Sequence, residues 1–220
     1  MSSREDILSR VRQKLGRNEG NAVVAKAEID AILAAKAQGP RPHVATEKSA
    51  LAGRLIDKSL AYSSTVDRVA MRAEAPAAIA RYLAGLSLPA QAVIWPQLAD
   101  LDWAGSGIKV AARAAQDADL VGITGCFCAV AETGTLMLCG SADAPAAISL
   151  LPETHIALVP ASRIVPGMEE AFALIRQELG QLPRAVNFIS GPSRTGDIEQ
   201  TIVLGAHGPY RVHLILIDGE

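Results

Sequence analysis

Short, continuous apolar runs that alternate with helix-type segments limit the fold of this chain more than any other feature. Runs such as 92–95, 120–123 and 155–159 lack the polar alternation of a half-exposed strand. Because both faces of such strands are apolar, they belong in a sheet that helices cover on both sides. Hydrophobic residues make up 50% of the chain but aromatic residues only 4%, which favours helices packed on a sheet over a β-sandwich. We therefore predict an α/β domain.

The N-terminal region has a different pattern, which predicts a helical arm. Residues 3–38 are helix-forming, with a stop at Gly16 and a second helix over 22–38 that ends at Gly39-Pro40. The first helix is basic outside its apolar stripe, a property of organelle presequences, but Glu5 and Asp6 favour an arm that docks on the domain or on a partner. We predict an N-terminal helical arm over residues 1–39 and a single α/β domain over 40–220.

Within the domain the alternation predicts a definite order of elements. These are helix 47–61, strand 65–71, a helix after Pro76, strands 92–95, 108–111, 120–123, 129–132 and 136–139, strand 155–159, helix 168–179, strand 185–189, helix 197–204 and strand 212–217. The Thr133-Gly134-Thr135 sequence between two of the strands predicts a bend or hairpin.

Charge and cysteine usage exclude several classes of protein. The 21 Lys and Arg residues nearly balance the 23 Asp and Glu residues, so no strong field attracts nucleic acid or an anionic membrane. The sequence has no apolar run long enough for a membrane span and no secretory pattern at its N-terminus. Three cysteines, two of them one residue apart, do not form a disulfide framework. A cytoplasmic location is expected.

Three polar, glycine-containing clusters follow apolar strands and are candidate ligand sites: 122–125, 132–135 and 190–197. The third carries hydroxyls, glycines and Arg194, whose guanidinium can bind a carboxylate or phosphate through two hydrogen bonds. A helix beginning near Asp197 would add unpaired N–H groups. The alternative is an ordinary turn in which Ser193 or Thr195 caps that helix and Arg194 is solvated.

Two further side chains could handle protons or form covalent intermediates. Glu132 could act as a base, as a nucleophile toward a thioester or as a hydrogen-bond acceptor, or it could be a solvated acid at a strand end. His207 could shuttle a proton or cap a helix, while His213 is predicted to be a core residue.

Other chemistries lack their sequence patterns. The Gly-x-Ser-x-Gly elbow of a serine hydrolase and a Walker loop are absent from the sequence, and the first glycine cluster is too loose for a dinucleotide fingerprint. Cys126-x-Cys128 with Cys139 lacks the paired spacing of zinc or iron–sulfur sites, so we predict that the cysteines are small buried hydrophobes.

Five motifs in order resemble the LUD-domain family, and the length and helical arm resemble its lactate-utilization members. The motifs are Gly-Ile-Thr-Gly (122–125), Ala-Glu-Thr-Gly-Thr (131–135), Leu-Leu-Pro-x-x-His (150–155), Ser-Gly-Pro-Ser-Arg-Thr-Gly-Asp-Ile-Glu (190–199) and Leu-Gly-Ala-His-Gly-Pro (204–209). One departure is Cys126-Phe127-Cys128, where the family pattern has small or acidic residues.

The resemblance implies a fold, partners and site residues. The fold is a Rossmann-like α/β sandwich of the NagB/RpiA/CoA-transferase-like group. The function is to oxidise L-lactate to pyruvate together with an iron–sulfur oxidoreductase and a ferredoxin-like subunit, which carry the clusters, so that this chain needs no cofactor. The alternatives are a stand-alone CoA- or phosphosugar-dependent transferase or isomerase and a non-catalytic scaffold. Carried over residue by residue, the family motif places proton handling on Glu132 and His207, and binding of a small anion on Thr133, Gly134, Thr135, Ser190, Gly191, Ser193, Arg194, Thr195, Asp197 and Gly208.

Overall fold

The computed structural model of the protein describes residues 3–35, 37, 39–44, 46–196 and 203–219. The chain divides into two compact units, Met1–His43 and Val44–Glu220. The first unit contains helices α1 (Ser3–Lys14) and α2 (Glu19–Ala35), as predicted. Gly16, with φ of +62°, ends the first helix. Asn18 and Asn21 each donate a backbone N–H to the other's side-chain oxygen at 2.9 Å, so the second helix begins earlier than predicted.

The second unit contains four α-helices and twelve strands among its described residues. The helices are α3 (Lys48–Ala61), α4 (Ala75–Gly85), α5 (Ala147–Leu150) and α6 (Met168–Glu178). The strands are β1 (Thr65–Met71), β2 (Gln91–Ile94), β3 (Lys109–Ala111), β4 (Val121–Thr124), β5 (Cys128–Val130), β6 (Thr135–Cys139), β7 (Thr154–Pro160), β8 (Ile164–Val165), β9 (Val186–Ile189), β10 (Arg194–Thr195), β11 (Val203–Leu204) and β12 (Arg211–Gly219).

A six-stranded parallel sheet forms the centre of this unit, with strand order β1-β12-β7-β4-β2-β3. Its central strands are buried on both faces, as their continuous apolar sequences require. Ile156 of β7 and Ile215 of β12 are completely buried. Helix α4 packs on β1 and β12, and α5 packs on β4 and β7. The predicted α/β class with a helical N-terminal arm is confirmed.

A second, four-stranded mixed sheet has the order β8-β5-β6-β9. Successive side chains along its strands point to opposite faces of the sheet, so alternate residues pack in two different hydrophobic cores. Ala129 and Leu136 face the main core beside the six-stranded sheet, whereas Cys128, Val130 and Met137 pack against α6. Burial on both faces explains why β5 and β6 are as apolar as the strands of the parallel sheet.

The helix predicted over 197–204 is wrong at its end. Val203 and Leu204 form β11, which pairs antiparallel with Arg194 and Thr195 of β10. This pairing gives the backbone groups of Val203–Leu204 cross-strand partners in place of helical ones. Residues 197–202, and with them Asp197 as a predicted ligand-binding residue, lie outside the described residues.

The short elements β8, β10 and α5 do not appear in the predicted order, and each has four residues or fewer. Within the described residues, every helix falls short of the length and apolarity that a bilayer crossing requires.

Candidate functional site

One end of the four-stranded sheet gathers the second and third predicted clusters. There the carboxyl ends of β5, β8 and β9 lie beside the amino end of β6. Val130 pairs with Val165 and with Thr135, while Leu136 pairs with Ile189. The turn after β5 therefore lies next to the loop after β9, beyond the carboxyl ends of three strands, where ligands bind in open α/β sheets.

A chain of three hydroxyl groups joins the two segments, and we call it the hydroxyl cluster. The Thr135 hydroxyl lies 2.7 Å from the Thr133 hydroxyl and 2.7 Å from the Ser190 hydroxyl. Thr135 is buried, whereas Ser190 is exposed. Each hydroxyl can donate one hydrogen bond and accept others, so the cluster can present donors or acceptors to a ligand at its exposed end.

Two glycines allow these segments to pack against the end of α3. Gly134 has φ of +67°, and a Cβ there would lie 2.6 Å from Cβ of Lys58. Gly191 has φ of +79°, and a Cβ there would overlap the carbonyl oxygen of Tyr62 and lie 3.0 Å from its Cβ. Both positions combine the left-handed conformation with a close approach, so only glycine fits them.

Arg194 of β10 contacts the turn between α3 and β1, which carries Tyr62 and Ser63. Its Nη2 donates to the Ser63 hydroxyl at 2.6 Å and to the Tyr62 carbonyl at 3.3 Å. Arg194 is exposed, so its positive charge is held at the surface beside the loop that carries Ser190. Tyr62 and Ser63 were not predicted as site residues, and the polar Tyr-Ser-Ser sequence after a helix was the one sequence feature that could have indicated them.

The loop that carries His207 packs against Ser193. The Ser193 N–H donates to the Pro209 carbonyl at 2.9 Å, and the Gly205 N–H donates to the Ser193 carbonyl at 2.9 Å. A Cβ on Gly208 would lie 3.2 Å from Cβ of Ser193. The His207 side chain is exposed and Thr195 is buried. The two sequence motifs that contain Ser193 and His207 thus form one structural unit.

Glu132 is fixed through its backbone. Its N–H donates to the Pro166 carbonyl at 3.0 Å, and its side chain is half-buried on the turn that also carries Thr133. Among the described residues, Glu132 and His207 form no hydrogen bond or ion pair with each other. Their roles as proton handlers therefore stay predictions.

Comparison with known proteins decides the family. The model of the LUD domain matches residues 8–217. The chain belongs to the LUD-domain family. It is 45% identical over 101 residues to lactate utilization protein C of Bacillus subtilis (strain 168), and 42% identical over 120 residues to lactate utilization protein C of Shouchella clausii (strain KSM-K16). These matches cover 44% and 54% of this chain, and 42% and 52% of the relatives, so the similarity spans about half of each relative.

A solved structure supports the fold of this LUD domain. The crystal structure of a DUF162 family protein from Deinococcus radiodurans matches with a TM-score of 0.57 and 26% sequence identity. The match covers 79% of this chain and 99% of that chain.

The first glycine cluster, 122–125, does not join the hydroxyl cluster but ends β4 in the parallel sheet. Gly122 pairs with His155 of β7, and a Cβ on Gly122 would overlap the carbonyl oxygen of Ile148. The Thr124 hydroxyl lies 2.8 Å from Nε2 of His155, and complete burial lowers the pKa of this histidine to about 4. This part of the LUD domain is packed core, and its glycine serves close packing of α5 on the sheet.

His213 and Cys128 are also structural, whereas Cys126 and Cys139 are half-buried, so the prediction that all three cysteines are buried is wrong for these two. His213 is buried, as predicted, with Nδ1 2.8 Å from the Thr65 hydroxyl and its ring stacked on Tyr82. The three cysteines, all among the described residues, form no disulfide, and burial raises the pKa of Cys128 to about 12. The described residues contain no group of three or more His, Cys, Asp or Glu residues that could hold a metal ion.

We expect Thr135→Val to lower the free energy of unfolding by about 1 kcal/mol, because it removes the central member of the hydroxyl cluster from a buried position. Urea unfolding of wild type and variant at pH 7 measures the difference. Thr65→Val, which removes the hydroxyl beside His213, is the matched control for the predicted binding of a small anion by Thr135. Both variants should lose similar stability, but only Thr135→Val should weaken binding of the anion. An equal loss of binding in both variants would contradict the predicted role of Thr135.

Proposed function

We propose that this LUD domain is a subunit of an L-lactate oxidation system and binds a small carboxylate at the hydroxyl cluster. Two lactate utilization proteins share 42% to 45% identity with it over the matched regions, which supports a role in lactate utilization. The observation that carries the proposal is the chain of hydroxyls from Thr133 through Thr135 to Ser190, with the Arg194 guanidinium on the adjoining loop.

This arrangement complements a 2-hydroxy acid. Arg194 would bind the carboxylate, and the exposed end of the hydroxyl cluster would bind the adjacent hydroxyl group. Oxidation of lactate to pyruvate releases two electrons and two protons. We place the electron acceptors, iron–sulfur clusters, on an iron–sulfur oxidoreductase and a ferredoxin-like partner subunit, since this sequence has no cluster motif. Glu132 and His207 would accept the two protons, one from the hydroxyl group and one from C2.

A second candidate function follows from the position of Glu132. Its half-buried carboxylate lies on the same turn as Thr133 and Gly134, where it could attack the carbonyl carbon of an acyl-CoA thioester and release the CoA thiolate. Mass spectrometry of the protein after incubation with acyl-CoA distinguishes this stand-alone transferase. A covalent adduct on Glu132 would replace our proposal, whereas an unmodified Glu132 agrees with it.

Thermal unfolding with and without ligand tests the binding site. At about 100 times its dissociation constant, L-lactate or pyruvate should stabilise the protein by ~2.7 kcal/mol, a rise in Tm of roughly 5 to 10 °C for a chain of this size. Arg194→Ala should abolish the rise. Arg176→Ala, which changes an exposed arginine on α6, should preserve it. If no small carboxylate shifts the wild-type Tm, the proposed site is wrong.

Co-expression tests the assignment to a complex. We expect lactate-dependent dye reduction by the iron–sulfur subunits to require this chain. If the activity is unchanged without this chain, the chain has no catalytic role in the complex and is at most a dispensable scaffold. Activity that returns with the wild-type chain but not with Arg194→Ala would tie the requirement to the site.

A further inference from the structure

A separate cleft of about 440 Å³ opens at the carboxyl ends of β2 and β4, which are neighbours in the parallel sheet. Trp95 directly follows β2, and Cys126 lies two residues after the end of β4; both line the cleft. Ligands of open parallel sheets bind in crevices at this position, and the volume is within the range of small-molecule sites, about 300 to 1,000 Å³.

The cleft lies away from the hydroxyl cluster. Strand β6 joins the two regions, because Thr135 at its amino end belongs to the hydroxyl cluster and Cys139 at its carboxyl end lines the cleft. At a rise of about 3.4 Å per residue, the ends of this strand are about 14 Å apart. A small carboxylate in the hydroxyl cluster cannot reach the cleft.

The charges in the wall of the cleft are paired. Arg163 donates through Nη1 and Nη2 to the two carboxylate oxygens of Glu178 at 2.6 and 3.0 Å, and through Nε to the Phe127 carbonyl at 2.8 Å. The thiol of Cys139 is protonated at neutral pH, because burial raises its pKa above the ordinary value. The charged side chains that are described in the wall are therefore paired with each other, and the cleft offers an anion no unpaired cation.

Aromatic rings and two neutral polar groups complete the lining. The Trp95 indole is fixed by its Nε1–H, which donates to the Pro145 carbonyl at 3.3 Å, and the Phe127 ring is covered by the Arg163 guanidinium at 4.8 Å. Gln97 and Ser141 are both exposed and supply an amide and a hydroxyl. We propose that this cleft is a second ligand site, which binds an uncharged fused aromatic ring with a polar edge.

Alkylation of the two cleft cysteines tests the proposal with a matched pair of probes, 2-naphthamide and 2-naphthoate. Both cysteines are half-buried, whereas Cys128 is fully buried and serves as an internal reference. At ten times its dissociation constant, 2-naphthamide should slow the reaction of Cys126 and Cys139 with iodoacetamide about tenfold by mass action. The naphthoate anion should give no protection at the same concentration. Mass spectrometry of peptides measures each site separately.

Two substitutions place the effect in the cleft. Ser141→Phe puts a ring into the cleft and should abolish protection by 2-naphthamide. Ser162→Phe adds the same ring at an exposed position outside the cleft and should preserve protection; thermal unfolding checks that both variants fold. Equal protection by amide and carboxylate, no protection by the amide, or protection that survives Ser141→Phe would each overturn the proposal.

Discussion

We expect Gly191→Ala to lower the free energy of unfolding by about 2 to 4 kcal/mol. Two costs add at this position. A φ of +79° is unfavourable for any residue with a Cβ, by roughly 1 to 2 kcal/mol. The new methyl group would also overlap the Tyr62 carbonyl oxygen, so the loop must move away from the turn between α3 and β1. Urea unfolding at pH 7 measures the loss.

Gly180→Ala is the matched control. Gly180 has a similar φ of +73°, but a Cβ there would meet no atom within 4 Å. It should therefore show the conformational cost alone, roughly 1 to 2 kcal/mol. The excess for Gly191→Ala is the cost of separating the loop from Tyr62. If the two variants lose equal stability, the close packing of Gly191 on Tyr62 does not contribute.

Elements with a strong local pattern were predictable from the sequence. Strand β1 has the predicted bounds, and α3 and α6 each differ from prediction by one residue at an end. Helical spacing and continuous apolar runs are local properties, so neighbouring residues suffice to identify them. The hairpin at Thr133-Gly134-Thr135 was predictable for the same reason, because glycine is needed where φ is positive.

The division into two sheets was not predictable from local patterns. Strand β5 is as apolar as β4, yet β4 pairs with β7 in the parallel sheet and β5 pairs with β6 in the mixed sheet. The pairing partner depends on long-range packing, which apolar content does not encode. The predicted helix is wrong at Val203 and Leu204 for a similar reason, since their pairing with Arg194 and Thr195 overrides helical propensity.

The site was predictable as a set of residues but not as a geometry. Thr135 and Ser190 were both expected to bind a ligand, but their hydrogen bond depends on the β6–β9 register. The contribution of Tyr62, more than 120 residues before Gly191 in sequence, requires α3 to pack beside the mixed sheet. Contacts between such distant segments produce no regular spacing of residues that could be recognised in the sequence.

Acidification should destabilise the domain through two buried histidines. Burial lowers the pKa of His155 and His213 to about 4, from an ordinary value of 6.5. For His213, the Asp67 carboxylate 3.8 Å from Nε2 offsets part of this lowering. Above pH 6.5 both histidines are neutral in the folded and the unfolded chain. Between pH 6.5 and about 4 the unfolded chain binds a proton at each histidine and the folded chain does not. The free energy of unfolding therefore decreases as the pH is lowered through this range.

We expect each histidine to lower the free energy of unfolding by about 2 kcal/mol between pH 7 and pH 4.5. Urea unfolding at both values measures the total, which includes the acidic side chains. The difference between wild type and His155→Gln removes that common part, because glutamine can bond the Thr124 hydroxyl but does not titrate. The variant should lose about 2 kcal/mol less between pH 7 and 4.5 than the wild type, whereas His43→Gln, at an exposed position, should behave as the wild type. If His155→Gln and the wild type show the same pH dependence, His155 accepts a proton in the folded chain as readily as in the unfolded one. That result would contradict the effect expected from the complete burial of His155.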